Sequence, residues 1–241
     1  MAPTPTIPPD NDWPPRTPSP GPTSANIQTV SLETLERIAR RPDSDGRLLG
    51  EDQADALLRI AVSARVLDVL VGPAGAGKTT AMNALRRAWE AEHGTGSVVG
   101  LAPSAGAAQV LAEDLGIATE NTAKWWQTHQ TTGTTFQSGQ LVIVDEASLA
   151  GTLSLDRITG LAAEAGAKVL LVGDYAQLQS VDAGGAFGLL VDDKSDTPEP
   201  GDVHWCVLQD RRTPPRSGGT EPSGRPSLRV GAAGKFRKQS P

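Results

Sequence analysis

Residues 66–80 have the sequence VLDVLVGPAGAGKTT, in which a short apolar run leads directly into a glycine-rich turn. The apolar run predicts a β-strand over 66–71, and the residues that follow predict a helix over 78–92. The pattern G-x-x-x-x-G-K-[ST] is matched in full by Gly72, Pro73, Ala74, Gly75, Ala76, Gly77, Lys78 and Thr79. A motif of this kind between a strand and a helix is typical of a phosphate-binding loop.

The residue types of this loop suit the binding of phosphate. Glycines let backbone N–H groups turn toward phosphate oxygens, and the start of the helix adds its positive dipole end. Lys78 is predicted to neutralise the β- and γ-phosphates of ATP, and the Thr79 hydroxyl to bind Mg²⁺, with Thr80 completing the cofactor-binding segment. The alternative is a glycine-rich turn that binds nothing, but the flanking strand and helix favour nucleotide binding.

Further apolar runs of strand length alternate with helical patterns along the chain. The predicted strands are 97–101, 141–146 and 168–174, and the predicted helices are 31–41, 51–64, 104–115 and 153–165. Ser31 is the expected N-cap of the first helix. Nearly continuous apolar strands alternating with helices predict an α/β fold, with a parallel sheet covered by helices on both faces.

Two of these strands end in residues that suit nucleotide hydrolysis. Asp145 and Glu146 close the strand 141–146, about 65 residues after the phosphate loop. Asp145 is predicted to bind Mg²⁺ and Glu146 to face the attacking water, although an acidic pair at a strand end is often only a solvated terminus. The strand 168–174 continues into GDYAQL, where Gln177 is predicted to sense the γ-phosphate. The alternative interpretation of this segment is a helix start that is capped by Asp174.

The segments GPAGAGKTT, LVIVDEASL and VLLVGDYAQLQSVDAGGAF resemble motifs I, II and III of RecD-like superfamily 1 helicases. The resemblance covers about residues 47–204 and is to the helicase part of MobF-type conjugative relaxase–helicases. It implies a RecA-like P-loop ATPase domain of the AAA family, equivalent to the first motor domain, with ATP and Mg²⁺ as cofactors. The parent activity that it implies is ATP-driven 5′→3′ translocation on single-stranded DNA.

The resemblance also implies roles for two weaker segments. Gln53, in LLGEDQADAL, resembles the Q-motif glutamine that contacts adenine, and the alternative is an exposed helix residue. The segment APSAGAA (102–108) resembles motif Ia, which touches single-stranded DNA, and the alternative is a helix start capped by Ser104. Trp125 and Trp126 suit base stacking, but two large apolar side chains are more often part of a core or an interface.

The chain departs from the family pattern in ways that bear on activity. The second motor domain and the relaxase part are not recognised, and Trp205 stands where the family has an arginine directed at the γ-phosphate. We therefore expect an apparently truncated helicase domain that binds MgATP with weak or no autonomous hydrolysis. The alternatives are a non-catalytic nucleotide-binding remnant or interaction module, and a stand-alone ATPase of another P-loop family. A protein partner could supply the missing motor domain.

Composition sets the expected boundaries and setting. The 241 residues carry a net charge of −6, so the chain is no basic nucleic-acid arm. The proline-rich residues 1–30 and the basic residues 205–241 are predicted to be disordered tails around a domain at 31–204. The basic tail is expected to supply a weak, salt-sensitive contact with single-stranded DNA. The single cysteine, Cys206, indicates a reducing, cytoplasmic setting, and no apolar run long enough to span a membrane occurs.

Overall fold

The computed structural model describes residues 27–43, 46 and 48–174, together with the backbone of 204–207. The described residues all lie in the compact unit Met1–Arg211. The helices are α1 (Leu32–Ala39), α2 (Glu51–Val62), α3 (Lys78–His93), α4 (Ala105–Leu115), α5 (Thr122–Thr132) and α6 (Thr152–Ala165). The strands are β1 (Leu67–Val71), β2 (Val98–Ala102), β3 (Ala118–Asn121), β4 (Leu141–Val144), β5 (Lys168–Gly173) and β6 (His204–Val207), and a short 3-10 helix covers Ala147–Leu149.

The strands form one sheet in the order β3-β2-β4-β5-β1-β6. Each pairing between neighbouring strands is parallel. Because β5 lies between β1 and β4, the phosphate loop after β1 is the direct neighbour of the chain that leaves β5. The acidic pair after β4 lies one strand further away, and neighbouring strands are about 4.8 Å apart.

Both faces of the sheet are covered, as the near-continuous apolar strands predict. One core packs the side chains of α1 to α4 against alternate strand residues such as Leu70 and Ile143, and the buried indole of Trp89 lies in it. The other core packs α6 and Phe136 against the intervening strand residues, including Val69 and Val144. The predicted α/β, RecA-like parallel-sheet fold is confirmed.

The central strands carry one buried ion pair. Asp68 of β1 and Lys168 of β5 have no exposed side-chain surface, and their Oδ2 and Nζ atoms are 2.5 Å apart. Lys168 Nζ also donates to the carbonyl oxygens of Ser63 (2.8 Å) and Arg65 (3.0 Å), which precede β1. The pair therefore ties the start of β5 both to β1 and to the turn that leads into it.

Several predicted boundaries differ from the structure. β3, α5 and β6 were not predicted, because they are short or polar and lack an apolar periodicity of their own. Residues 205–207, assigned to a disordered tail, instead form most of β6 and pair with β1. Residues 27–30, assigned to the proline-rich segment, bring Ile27 and Val30 into buried positions. The rest of both predicted tails lies outside the described residues.

No membrane-spanning segment is predicted from the sequence. None of the helices within the described ranges combines the length and the apolar character that a membrane crossing needs.

The buried ion pair gives a stability prediction. We expect Lys168→Met to lower the free energy of unfolding by about 3–5 kcal/mol, because it leaves the Asp68 carboxylate buried without its cation. The double variant Asp68→Leu/Lys168→Met should recover much of that loss. The measurement is urea unfolding, with Lys124→Met, an exposed lysine paired with Glu120, as the control expected to change stability by less than about 1 kcal/mol. Equal effects of the two single lysine variants would contradict the prediction.

Candidate functional site

The phosphate loop runs from the end of β1 to the start of α3. Gly75 and Gly77 have φ angles of +82° and +84°, in the left-handed region that favours glycine. Gly77 is the N-cap of α3 and provides no side-chain cap. The first N–H groups of the helix, from Lys78 onward, therefore keep the free donors that a helix start offers to an anion. Thr79 is exposed, so its hydroxyl is accessible to a ligand.

The Lys78 ammonium lies folded against the loop. Its Nζ donates to the carbonyl oxygens of Gly72 (2.6 Å) and Pro73 (3.2 Å), and it is 4.0 Å from Oδ2 of Asp174. The same loop residues are joined to β5, because Gly72 N–H donates to Gly173 O at 3.3 Å. The cation is therefore held between the loop and the carboxyl end of the neighbouring strand.

Asp174 is a residue of the site that the sequence analysis missed. It directly follows β5 and is 9% exposed, and its carboxylate faces the Lys78 ammonium. The sequence has Gly173 and Asp174 directly after a predicted strand, but Asp174 was interpreted only as a helix cap. Gln177, the predicted γ-phosphate sensor, lies outside the described residues.

The acidic pair after β4 is held by local hydrogen bonds. Asp145 N–H donates to Leu101 O at 3.0 Å, and Asp145 Oδ1 accepts from Glu146 N–H at 2.9 Å. Burial raises the pKa of Asp145 above its ordinary value, against the smaller opposing effects of the Glu146 hydrogen bond and the Lys78 charge. Glu146 has a φ of +49°, which is uncommon for a residue with a side chain and is typical of functional turns.

Gln53 is not the exposed helix residue of the alternative interpretation, because it is 1% exposed. Its Nε2 donates to the carbonyl oxygens of Ala76 (3.3 Å) and Gly77 (3.0 Å) in the phosphate loop. Its Oε1 accepts from Gly50 N–H at 2.9 Å and so caps the start of α2. The structure thus brings Gln53 to the site, but in contact with the loop backbone.

The motif Ia segment has the structure that its helix-cap alternative predicts. β2 ends at Ala102, and the Ser104 hydroxyl accepts from Ala107 N–H at 3.1 Å to cap α4. The cap explains these residues without a ligand, and a DNA contact of this segment stays a prediction.

Trp125 and Trp126 lie in a cluster of rings rather than on an open platform. The Trp125 ring stacks on Phe136, with centroids 4.5 Å apart, and on His129 at 5.8 Å. The Trp126 ring stacks on His129 at 5.2 Å and receives the Arg157 guanidinium at 4.5 Å from its centroid. Both indoles therefore have protein partners on their faces, which supports the packing alternative over base stacking.

The fold and the site together define a class of protein. A parallel sheet with helices on both faces, a complete phosphate loop after β1 and carboxylates after β4 and β5 are the features of a RecA-like P-loop domain.

Comparisons with known proteins agree with this class. The family model "AAA domain" matches residues 48–205, and the chain belongs to this family. It is 38% identical over 165 residues to the conjugal transfer protein TraA of Rhizobium radiobacter. The aligned segment covers 68% of this chain and 14% of that protein. It is 36% identical over 163 residues to the probable conjugal transfer protein TraA of Sinorhizobium fredii, again covering 68% of this chain and 14% of the relative.

Among solved structures, the UvsW helicase of bacteriophage T4 has the same fold. The TM-score is 0.50 at 14% identity, with 77% of this chain and 70% of that chain covered. The predicted resemblance is confirmed, and the chain is an AAA domain similar to the conjugal transfer protein TraA. The matched segment spans only 14% of the curated relatives.

The raised pKa of Asp145 gives a prediction with a definite sign. A carboxyl group that is harder to ionise in the folded state lowers folding stability when ionised, and the loss disappears below the pKa of the unfolded chain. Asp145→Asn keeps the oxygen that accepts from Glu146 N–H and removes the charge. We expect its melting temperature to exceed that of the wild type at pH 7, with a gap that narrows as the pH falls toward 4.

The measurement is thermal unfolding of both proteins across this pH range, without nucleotide. Asp55→Asn is the matched control, because Asp55 is an exposed aspartate on α2. A gap for Asp145→Asn that stays constant or widens at acid pH would contradict the assigned cause.

Proposed function

We propose that this chain binds MgATP at the phosphate loop and serves as the first motor domain of a conjugative relaxase–helicase. The observation that carries the proposal is the complete loop at the start of α3, with Lys78 at its end and Asp174 facing the ammonium. The similarity to TraA supports the conjugative context. The activity of a whole relative is part of the proposal, because the match spans 14% of it.

The site residues fit a magnesium nucleotide. Among the described residues, no group of three or more histidine, cysteine or acidic side chains forms a metal site by itself. Mg²⁺ prefers oxygen ligands and usually keeps waters and substrate phosphates in its shell. The exposed Thr79 hydroxyl and the Asp145 carboxylate would hold the ion together with the nucleotide, and bound Mg²⁺ would neutralise phosphate charge.

The remaining residues have separate roles in this proposal. The N–H groups of Gly77 and Lys78 would bind phosphate oxygens at the helix start. Lys78 would exchange the carbonyl oxygens of Gly72 and Pro73 for the β- and γ-phosphates. Glu146 would orient the attacking water, and Gln177 would sense the γ-phosphate, as the family resemblance implies.

Turnover by this chain alone is proposed to be slow. An arginine directed at the γ-phosphate raises the hydrolysis rate by about 10³–10⁵. In this chain, Trp205 stands at the position where the resembling family has that arginine. Trp205 lies within β6 and pairs with Val69 of β1, and Val207, two residues later, pairs with Val71. The competing function is a nucleotide-binding module without turnover.

DNA binding by this chain is proposed to be weak and dependent on salt. Residues 44–194 carry ten basic and 18 acidic residues, a balance that disfavours contact with phosphates. The basic residues of 205–241 are the proposed contact, with single-stranded DNA as the substrate class. A protein that supplies a second motor domain is the proposed partner.

Nucleotide binding is tested by titrating the chain with a fluorescent ATP analogue and Mg²⁺. We expect Lys78→Ala to weaken binding by at least about tenfold, a loss of about 1.4 kcal/mol, because it removes the cation beside the phosphates. Asp145→Ala should instead reduce the gain in affinity that Mg²⁺ provides. Lys124→Ala, in an exposed pair with Glu120, is the control, and unchanged affinity in Lys78→Ala would refute the assignment.

Turnover is tested by phosphate release with and without single-stranded DNA. We expect a rate only slightly above that of Lys78→Ala, little stimulation by DNA and no strand displacement on a duplex. Rapid, DNA-stimulated hydrolysis would show that the chain is a complete motor. A rate indistinguishable from Lys78→Ala, with normal ATP binding, would favour the module without turnover.

A further inference from the structure

The Gln53 side chain of α2 is hydrogen-bonded to the backbone of the phosphate loop. Both donors of its NH₂ group are directed at loop carbonyls, those of Ala76 and Gly77, and its oxygen accepts from Gly50 N–H. A carboxamide has two donor hydrogens, so the donor side of this amide is engaged. Because Gln53 is only 1% exposed, its amide is not accessible to a ligand at the protein surface.

The contact is close enough to restrict the loop sequence. A Cβ atom added to Gly77 would lie 2.0 Å from Gln53 Nε2, so the end of the glutamine side chain would have to move away from the loop. Glycine at this position therefore satisfies two conditions, the left-handed backbone and the approach of the amide. The carbonyl of Gly77 also accepts from Ala81 N–H at 3.1 Å within α3, so the amide joins a carbonyl that already belongs to the helix.

Holding these two carbonyls sets the direction of two N–H groups. In a trans peptide the C=O and N–H bonds point in opposite directions, and the described residues contain no cis peptide bond. The carbonyl of Ala76 shares its peptide plane with Gly77 N–H, and the carbonyl of Gly77 shares its plane with Lys78 N–H. With both carbonyls turned toward Gln53, both N–H groups face away from it, as donors to a phosphate must.

We infer that Gln53 is a positioning residue that orients the Gly77 and Lys78 amides toward the triphosphate and makes no contribution to base recognition. The inference rests on the proposed binding of nucleotide at this loop. It differs from the adenine contact that the family resemblance implies, and the two make opposite predictions. A base-reading residue favours ATP over GTP, whereas a loop-positioning residue supports every ligand that carries the phosphate chain.

The test compares three ligands with and without the Gln53 amide. Binding of fluorescent ATP, fluorescent GTP and inorganic tripolyphosphate, each with Mg²⁺, is measured for the wild type, Gln53→Ala and Gln53→Glu. We expect both variants to lose about tenfold in affinity for all three ligands, with the ATP-to-GTP affinity ratio unchanged. Gln53→Glu keeps the side-chain length and the acceptor for Gly50 N–H, but directs an oxygen at the two loop carbonyls.

Controls separate this role from a general loss of structure. Asp55→Ala, on the exposed side of α2, should bind all three ligands like the wild type. Melting temperatures identify any variant that fails to fold, and Gln53→Glu is the variant expected to fold because it keeps the helix cap. The backbone ¹⁵N–¹H signals of Gly77 and Lys78 should shift on tripolyphosphate binding in the wild type and shift less in Gln53→Glu.

The outcomes are distinct. Loss confined to ATP, with tripolyphosphate binding intact, would overturn the inference in favour of adenine recognition. Unchanged affinity for every ligand in a folded Gln53→Glu would also overturn it. A wild-type chain that binds none of the ligands would overturn the proposed function itself, and the inference with it.

Discussion

The buried ion pair between Asp68 and Lys168 fixes the register of the two strands on which the site depends. A slip of one residue between β1 and β5 would turn the apolar side chains of one strand to the wrong face and separate two charges that have no exposed surface. With the register fixed, Val71 pairs with Gly173, so both chains leave the sheet at the same level. The Lys78 ammonium and the Asp174 carboxylate meet for that reason. Buried ion pairs add little net stability, and here we assign the pair the role of specifying this alignment.

Above the sheet, the loop itself is ordered by inward hydrogen bonds of its carbonyl groups. Lys78 Nζ binds the carbonyls of Gly72 and Pro73, and the turn is closed by Ala76 N–H to Pro73 O at 3.1 Å. The phosphates would displace the Lys78 bonds, but a loop whose turn is already closed loses less conformational entropy when a ligand arrives. The helical layer thereby supports the site, because α2 packs on α3 and brings Gln53 beneath the loop.

The parts of the fold that the sequence predicted are those with a strong local signal. The strand before Gly72, the loop and α3 carry their patterns within one short stretch, and the Ser104 cap needs only its own neighbours. β6 depends on pairing with β1 across more than 130 residues, and four residues contain too little pattern to show this. The role of Asp174 required the strand order, since only the position of β5 beside β1 places it at Lys78. The buried contacts of Gln53 required the packing of α2, which helical periodicity does not specify.

If the proposed function holds, the charges at this edge of the sheet would make nucleotide binding depend on a divalent ion. Asp174 follows β5 beside the loop, Asp145 and Glu146 follow β4 one strand further away, and the Lys78 ammonium is held against the loop. Three carboxylates and one ammonium would repel a triphosphate, and burial already makes the charged form of Asp145 unfavourable, which raises its pKa. A bound Mg²⁺ would reverse this balance, because such an ion is often the largest local charge in a site and would favour the ionised form of the carboxylate. Lys78, released from the carbonyls of Gly72 and Pro73 by the phosphates, would then complete the neutralisation. Metal and nucleotide binding are therefore expected to be coupled, each raising the affinity for the other.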